Sequence, residues 1–124
     1  MMKHPAVTAL AFSALILVGI PDPTRAQDAG ESLFKRNCAT CHVVDAGQNR
    51  IGPSLAGIVG RKAGTVPGYT YSEANRNSGA TWDETTLETY LQDPKKFMPG
   101  TKMISPGLKD ADARAALIAY LKQH

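Results

Sequence analysis

The sequence predicts an all-α protein with about three main helices, short helical turns and long connecting loops. Apolar residues recur at helical spacing in three segments, and no segment has the alternating pattern of a strand. The stretches between the three segments are rich in glycine and proline, which favour turns. With 124 residues, 43% of them hydrophobic and 20% charged, the chain has room for one globular domain.

The first 26 residues are predicted to be a secretory signal peptide outside that domain. A short positive start, Met1 to His4, precedes an apolar run from Ala6 to Ile20, and Thr24-Arg25-Ala26 fits a small-x-small cleavage site. We therefore expect cleavage after Ala26, export to the periplasm, and a domain at residues 27–124. An uncleaved membrane anchor is the alternative, because hydropathy alone does not separate the two.

The first helix is predicted from Asp28 to Asn37, because Gly30, Leu33 and Phe34 fall on one face with Asn37. The chain from Val43 to Ala80 is then predicted to be a long loop region, with frequent Gly, Pro, Asn and Ser.

A second helix follows this loop region. Thr81 and Glu84 have the spacing of a capping box, and Pro94 is expected to end the helix. Its apolar face comprises Leu87, Tyr90 and Leu91.

The last helix follows a second loop, from Lys95 to Lys109. Asp110 or Asp112 is expected to cap its first turn, and Lys122 lies at its favourable end. Its apolar face comprises Ala113, Ala116, Leu117, Tyr120 and Leu121. Loops this long in a chain with few large apolar side chains leave a thin core, so we expect the chain to fold around a bulky apolar cofactor.

Cys38-Ala39-Thr40-Cys41-His42 has the C-x-x-C-H pattern of covalent haem attachment, in which two thiols add to the porphyrin vinyl groups and the imidazole reaches the iron. A zinc site would usually need two more Cys or His ligands, and the other histidines are His4 in the leader and His124 at the terminus. A redox-active disulfide between the two cysteines is the main alternative.

A low-spin haem needs a sixth ligand, for which the candidates are Met98, Met103, His124 and the lysines. Met103 ends the segment Pro99 to Met103, where proline and glycine stiffen the loop and Thr101 can form hydrogen bonds. Met98 follows Phe97 directly and is better explained by packing.

From Gly30 to Lys122 the chain resembles class I cytochrome c, of the mitochondrial and bacterial cytochrome c2 type. The matching segments are Cys38 to His42, Gly52-Pro53-Ser54-Leu55, Gly60-Arg61-Lys62, Pro67-Gly68-Tyr69-Thr70-Tyr71, Ala74-Asn75, Thr81-Trp82, Tyr90-Leu91, Pro94-Lys95-Lys96, Pro99 to Met103 and Leu117 to Lys122.

The resemblance implies a cytochrome c fold wrapped around one haem c, with His42 and Met103 as its axial ligands. It implies that the Pro53 carbonyl accepts a hydrogen bond from His42. It also implies that Tyr71 and Trp82 donate to a haem propionate near Arg61. A further group, Asn75, Tyr90 and Thr101, is expected to surround a buried water beside Met103, and Gly30 and Phe34 are expected to pack against Leu117 and Tyr120.

One residue departs from the mitochondrial pattern. Ser105, followed by Pro106, stands where that family has an aromatic residue two positions after the ligand methionine. A small polar side chain covers less of the haem edge and can admit water.

The resemblance further implies a monomeric electron carrier, not an enzyme, that binds no nucleic acid. Its expected partners are membrane redox complexes, such as a bc1-type reductase and a terminal oxidase, reaction centre or peroxidase. The residues expected to dock with them are Lys95, Lys96, Lys102 and Lys109. A haem peroxidase or gas-binding protein would need an open or labile sixth position. A disulfide module would show no haem absorption.

Overall fold

The computed structural model of the protein describes residues 1–2, 14–20 and 22–124. The predicted signal peptide therefore lies partly outside the described residues. Within the described ranges, no helix is both long enough and apolar enough to cross a membrane.

The described chain is helical, as the sequence predicts, and contains five helices and no strand. The helices are α1 (Pro23–Asn37), α2 (Glu73–Asn77), α3 (Glu84–Gln92), α4 (Pro94–Phe97) and α5 (Ala111–Leu121). Three of them are the expected main helices, and α2 and α4 are short turns within the two loop regions. An isolated bridge between Lys62 and Thr81 joins two loop segments.

Helix α1 begins five residues earlier than the apolar pattern predicts. The Asp22 side chain accepts a hydrogen bond from the Thr24 amide (3.0 Å), and Pro23 occupies the first helical position, where its missing N–H has no consequence. The predicted start at Asp28 was wrong because it relied on buried positions, and the first turns of α1 are exposed. The cleavage point after Ala26 lies within this helix and stays a prediction.

The predicted capping box of α3 was also wrong. Asp83 is the N-cap, and its carboxylate accepts from the Thr86 amide at 2.8 Å. Thr81 pairs instead with Lys62 in the isolated bridge. The helix ends at Gln92, before the expected stop at Pro94, which itself begins α4.

Asp110 caps α5, with its carboxylate 2.7 Å from the Ala113 amide. The buried residues of α5 are Arg114, Leu117, Ile118 and Leu121. Ala113, Ala116 and Tyr120, expected on the apolar face, are only half-buried. Because α5 packs against both α1 and α3, its buried stripe is rotated from the expected one and includes an arginine.

Helices α1 and α5 cross at Gly30, as expected. A Cβ atom at Gly30 would lie 2.4 Å from the Ala116 carbonyl oxygen and 2.5 Å from the Tyr120 Cβ. Next to this contact the rings of Phe34 and Tyr120 pack at a centroid distance of 5.6 Å. The crossing fixes the C-terminal end of α1, where the cysteine motif begins.

Candidate cofactor site

The side chains that the sequence singles out for cofactor binding border one cavity. Its volume is about 200 Å³, far above the roughly 10–15 Å³ that a single water needs. Much of its wall is aliphatic, including Leu55, Ile58 and Leu117, and the exposed side chains of Ile51 and Ile104 lie at its mouth. The predicted site residues in its lining are Cys38, Cys41, His42, Pro53, Arg61, Tyr71, Asn75, Trp82, Tyr90, Thr101 and Met103.

The two cysteines lie in a tight turn that continues from the end of α1. The amides of Cys41 and His42 both donate to the Cys38 carbonyl, at 3.0 and 2.9 Å. Both thiols are free and half-buried, and both border the cavity. Burial, with a smaller contribution from Cys41, raises the pKa of Cys38 to about 11. The Cys38 thiol is therefore protonated at neutral pH.

The His42 imidazole is oriented by the Pro53 carbonyl, as the resemblance implies. Its Nδ1 lies 2.8 Å from that oxygen, which requires the proton on Nδ1 and leaves the Nε2 lone pair unprotonated. Burial lowers the pKa of His42, and the nearby Arg61 charge lowers it further, although the bond to Pro53 acts in the opposite direction. The ring is therefore neutral at pH 7 and presents Nε2 as an electron-pair donor.

Gly52 also packs closely against this ring. A Cβ atom at Gly52 would lie 2.3 Å from His42 Cε1, closer than real contacts allow. The Gly52 amide donates to the Cys41 carbonyl at 2.8 Å, so the backbone of this loop is fastened to the cysteine turn.

Of the two candidate methionines in the second loop, Met103 borders the cavity. The Tyr90 hydroxyl donates to Met103 Sδ at 3.1 Å, and the Met103 amide donates to Thr101 Oγ1 at 3.3 Å. Met98 is only 3% exposed and lies in the hydrophobic core. The structure thus places the two side chains as the sequence predicts, with Met103 at the site and Met98 in packing.

A polar group lies on another wall of the cavity. Arg61 donates from Nη1 to the Ala56 carbonyl (2.8 Å) and from Nη2 to the Ser54 carbonyl (3.0 Å), while the Tyr71 hydroxyl accepts from the Val66 amide (3.1 Å). Trp82 borders the cavity beside Tyr90, at a ring distance of 4.7 Å. Their contacts with a haem propionate stay predictions.

Two buried polar atoms in the lining have no hydrogen-bond partner among the described residues. They are Arg61 Nε, which is a donor, and Asn75 Oδ1, which is an acceptor. Buried polar atoms are nearly always paired. These two atoms are enclosed by protein, but the polar side chains of Arg61, Tyr71 and Asn75 beside the aliphatic wall suit a group with polar substituents as well as an apolar body. Two thiols, an imidazole nitrogen and a thioether sulfur complete a donor set that fits a haem.

Sequence reasoning missed some of the lining, notably Tyr69 and Ser72. The Tyr69 hydroxyl donates to the Ile51 carbonyl (2.9 Å), and its ring packs edge-on against Tyr71 at 4.8 Å. Tyr69 lies within one of the segments that match the cytochrome c pattern, and an aromatic residue two positions before Tyr71 was the available signal.

The four lysines expected at the docking surface are all exposed. Lys95 and Lys96 lie on α4. Lys102 donates to the Thr70 carbonyl and its ammonium lies 4.9 Å from the centre of the Tyr69 ring. Lys109 donates to the Gln92 carbonyl at 2.7 Å. The side chains of Lys102 and Lys109 are thus held against the protein surface.

Ser105 also borders the cavity and is half-buried. Its Oγ accepts a hydrogen bond from the Gly107 amide at 3.1 Å. The side chain is therefore turned along its own loop, and the neighbouring Ile104 is 93% exposed.

Comparison with known proteins gives a consistent result. The profile of the cytochrome c family matches residues 27–124. The chain is 55% identical over 96 residues to a cytochrome c of Sesamum indicum and 52% identical over 96 residues to cytochrome c type-1 of Ascaris suum, in both cases covering 77% of this chain and 86% of the relative. It is also similar to the structure of cytochrome cH from Methylobacterium extorquens, with a TM-score of 0.74 and 45% identity over 79% of this chain and 98% of that one. The chain belongs to the cytochrome c family, the haem proteins that carry electrons and are not enzymes.

Proposed function

We propose that this protein carries single electrons between redox complexes in the periplasm, on one haem c bound through Cys38 and Cys41 with His42 and Met103 as axial ligands. The observation that carries the proposal is that the two free thiols, the neutral imidazole and the thioether all border the same cavity. When bound, the haem supplies a reversible one-electron couple.

The contribution of the protein is to fix both axial side chains before any electron arrives. The Pro53 carbonyl holds the His42 ring in one tautomer and makes Nε2 more basic. The Tyr90 hydroxyl holds Met103 Sδ at 3.1 Å. A site with both axial positions filled has no open position for a substrate, which suits electron transfer better than peroxidase chemistry or gas binding. Thioether ligation and an apolar wall both favour a positive potential.

The ligand assignment is tested with two matched replacements, Met103→Leu and Met98→Leu. Leucine keeps the apolar volume, so the core change at Met98 should cost less than about 1.5 kcal/mol. We expect only Met103→Leu to abolish the near-red sulfur-to-iron absorption band and lower the potential. Loss of the band in Met98→Leu alone would refute the assignment.

The proposed docking surface comprises Lys95, Lys96, Lys102 and Lys109, with the apolar side chains of Ile51 and Ile104 at the cavity mouth. It suits partners that present acidic residues, such as a bc1-type reductase and a terminal oxidase, reaction centre or peroxidase. Electron carriers use small interfaces, and long-range charge mainly accelerates encounter. With a Debye length of about 8 Å at physiological salt, this acceleration should fade as salt rises.

Docking is tested with single charge reversals that change the net charge equally. Lys96→Glu lies on α4, within the proposed surface, while Lys62→Glu lies at the bridge to Thr81; both residues are exposed and neither borders the cavity. We expect Lys96→Glu to slow oxidation by an acidic partner at low salt and to flatten its salt dependence, and Lys62→Glu to do neither. Equal losses in the two variants would show that docking uses another surface or net charge alone.

Export is tested by fractionating cells and sequencing the N-terminus of the purified holoprotein. The proposal expects a periplasmic protein that begins at Gln27. A membrane-bound protein that retains residues 1–26 would instead support the anchor alternative.

A further inference from the structure

The loop that carries Met103 is fastened at its far end to α3. We call residues 99–109 the methionine loop. The Leu108 amide donates to the Leu91 carbonyl at 2.7 Å, and Lys109 Nζ donates to the Gln92 carbonyl at the same distance. A Cβ atom at Gly107 would lie 2.2 Å from the Gln92 carbonyl oxygen. The end of the loop therefore lies directly against the C-terminal turn of α3.

A buried arginine of α5 joins this end of the loop to both helices. Arg114 Nη1 donates to the carbonyls of Leu108 (2.7 Å) and Lys109 (2.8 Å). Its Nε and Nη2 each lie 2.6 Å from Glu88 Oε1 on α3. The Arg114 side chain is 6% exposed, whereas that of Glu88 is 41% exposed. One guanidinium thus bonds to the loop and to α3 from its position on α5.

This arrangement uses the planar fork of arginine. A lysine ammonium keeps the charge, but its three donors radiate from one atom, whereas Arg114 uses separate nitrogens for the carboxylate and for the two carbonyls. Hydrogen bonds that involve a charged group are stronger than neutral ones, and a buried charge that loses its partner is costly. Glu88 is therefore expected to keep Arg114 in the orientation that reaches the loop.

The position of Met103 depends on the same helix. Tyr90, which donates to Met103 Sδ, lies on α3 between Glu88 and Leu91. At the other end of the loop the Thr101 amide donates to the carbonyl of the buried Met98 at 3.0 Å. Met103 thus lies between two fastened ends of the loop. If Arg114 no longer holds the end at Leu108 and Lys109, the loop can move away from Tyr90.

We propose that Arg114 and Glu88 form a positioning pair that holds the methionine loop against α3 and so keeps Met103 at the cavity. The inference rests on the proposed function, in which Met103 is the sixth ligand. Neither residue of the pair lines the cavity, and Arg114 bonds directly to Leu108 and Lys109 of the loop, so the pair would act on Met103 through the loop.

The test uses the full holoprotein with Arg114→Lys, Glu88→Gln and the control Glu84→Gln. Glu84 pairs with Lys122 and so also links α3 to the end of α5, but this pair is exposed and its ion pair joins no residue of the methionine loop. Two quantities are measured: the affinity of added imidazole, which competes with the sixth ligand, and the hydrogen exchange rate of the Leu108 amide. We expect Arg114→Lys to raise both about tenfold, Glu88→Gln to raise both by less, and Glu84→Gln to change neither.

Unchanged imidazole affinity in both Arg114→Lys and Glu88→Gln would overturn the inference, whether or not Leu108 exchange accelerates. An equal effect in Glu84→Gln would also overturn it, because the cause would then be general loosening of the two helices. If Arg114→Lys does not fold, Glu88→Gln decides, since the partly exposed Glu88 keeps its volume in that variant. Failure of the proposed function is seen separately, as a near-red band that survives Met103→Leu.

Discussion

Replacing Gly52 by alanine should displace His42, one of the two proposed axial ligands, without altering any side chain that binds the haem. The added Cβ would lie 2.3 Å from His42 Cε1, 2.7 Å from Nδ1 and 2.8 Å from Nε2. The φ angle of Gly52 is not in the positive range, so alanine can adopt the backbone conformation, and the effect is purely one of space.

The structure shows why the clash cannot relax easily. The Gly52 amide is bonded to the Cys41 carbonyl, and the next residue is Pro53, whose ring restricts the backbone. The imidazole must therefore move by about 1 Å, which lengthens its 2.8 Å contact with the Pro53 carbonyl. Overpacking typically costs about 1–3 kcal/mol and a lost hydrogen bond about 1 kcal/mol. We therefore expect the free energy of unfolding to fall by about 2–4 kcal/mol.

The measurement is urea unfolding of the ferric holoprotein, combined with its reduction potential. Gly57→Ala is the control, because Gly57 has φ +62° and nothing lies within 4 Å of the Cβ that alanine would add, so only backbone strain of about 1–2 kcal/mol is expected there. We expect Gly52→Ala to be the less stable variant and the only one with a shifted potential. If Gly57→Ala costs as much and Gly52→Ala leaves the potential unchanged, the steric reasoning is refuted.

Three further outcomes are expected. Replacing Cys38 and Cys41 by serine should leave a largely unfolded chain, because the glycine-rich loops have little else to pack on; a native-like circular dichroism spectrum of this haem-free protein would contradict that. Ser105→Phe should cover the cavity mouth and raise the reduction potential modestly, and an unchanged potential would show that another side chain already fills this space. Because burial lowers the pKa of His42 from its ordinary value of 6.5, and because the proposed iron ligation also needs the unprotonated ring, the unfolded chain takes up that proton first as the pH falls. The free energy of unfolding of the holoprotein should therefore decrease as the pH falls below that value, and a flat profile would contradict this.

The sequence predicted the parts of the fold that depend on local patterns. The three main helices follow from helical spacing, and Asp110 was one of two candidate caps of α5 that short polar side chains offered. The close crossing at Gly30 was implied by the resemblance. The α3 cap was misassigned because Thr81 and Asp83 both have capping chemistry. The choice between them depends on Lys62, whose bridge to Thr81 joins segments far apart in the chain.

The candidate site was largely predictable because its residues occur in short, specific segments. Cys38 to His42 is a local motif, and the resemblance supplied distant lining residues that composition alone would have assigned to an ordinary core. The Arg114 contacts were not predictable in this way. A charged residue within an apolar helix face interrupts the pattern, and its carboxylate partner Glu88 lies 26 residues away on another helix.

The shape of the cavity depends on three places where a missing side chain lets the backbone approach closely. At Gly30 the crossing with α5 fixes the end of α1, at Gly52 the loop supports the His42 ring, and at Gly107 the methionine loop reaches α3. In each case an added Cβ would lie within 2.5 Å of another heavy atom, and Gly107 also has φ +85°. The role of each glycine is therefore steric and not chemical. The donor groups can converge because the helix that leads to the cysteine turn, the loop that contains Gly52 and the methionine loop each make a close contact that a larger residue would prevent.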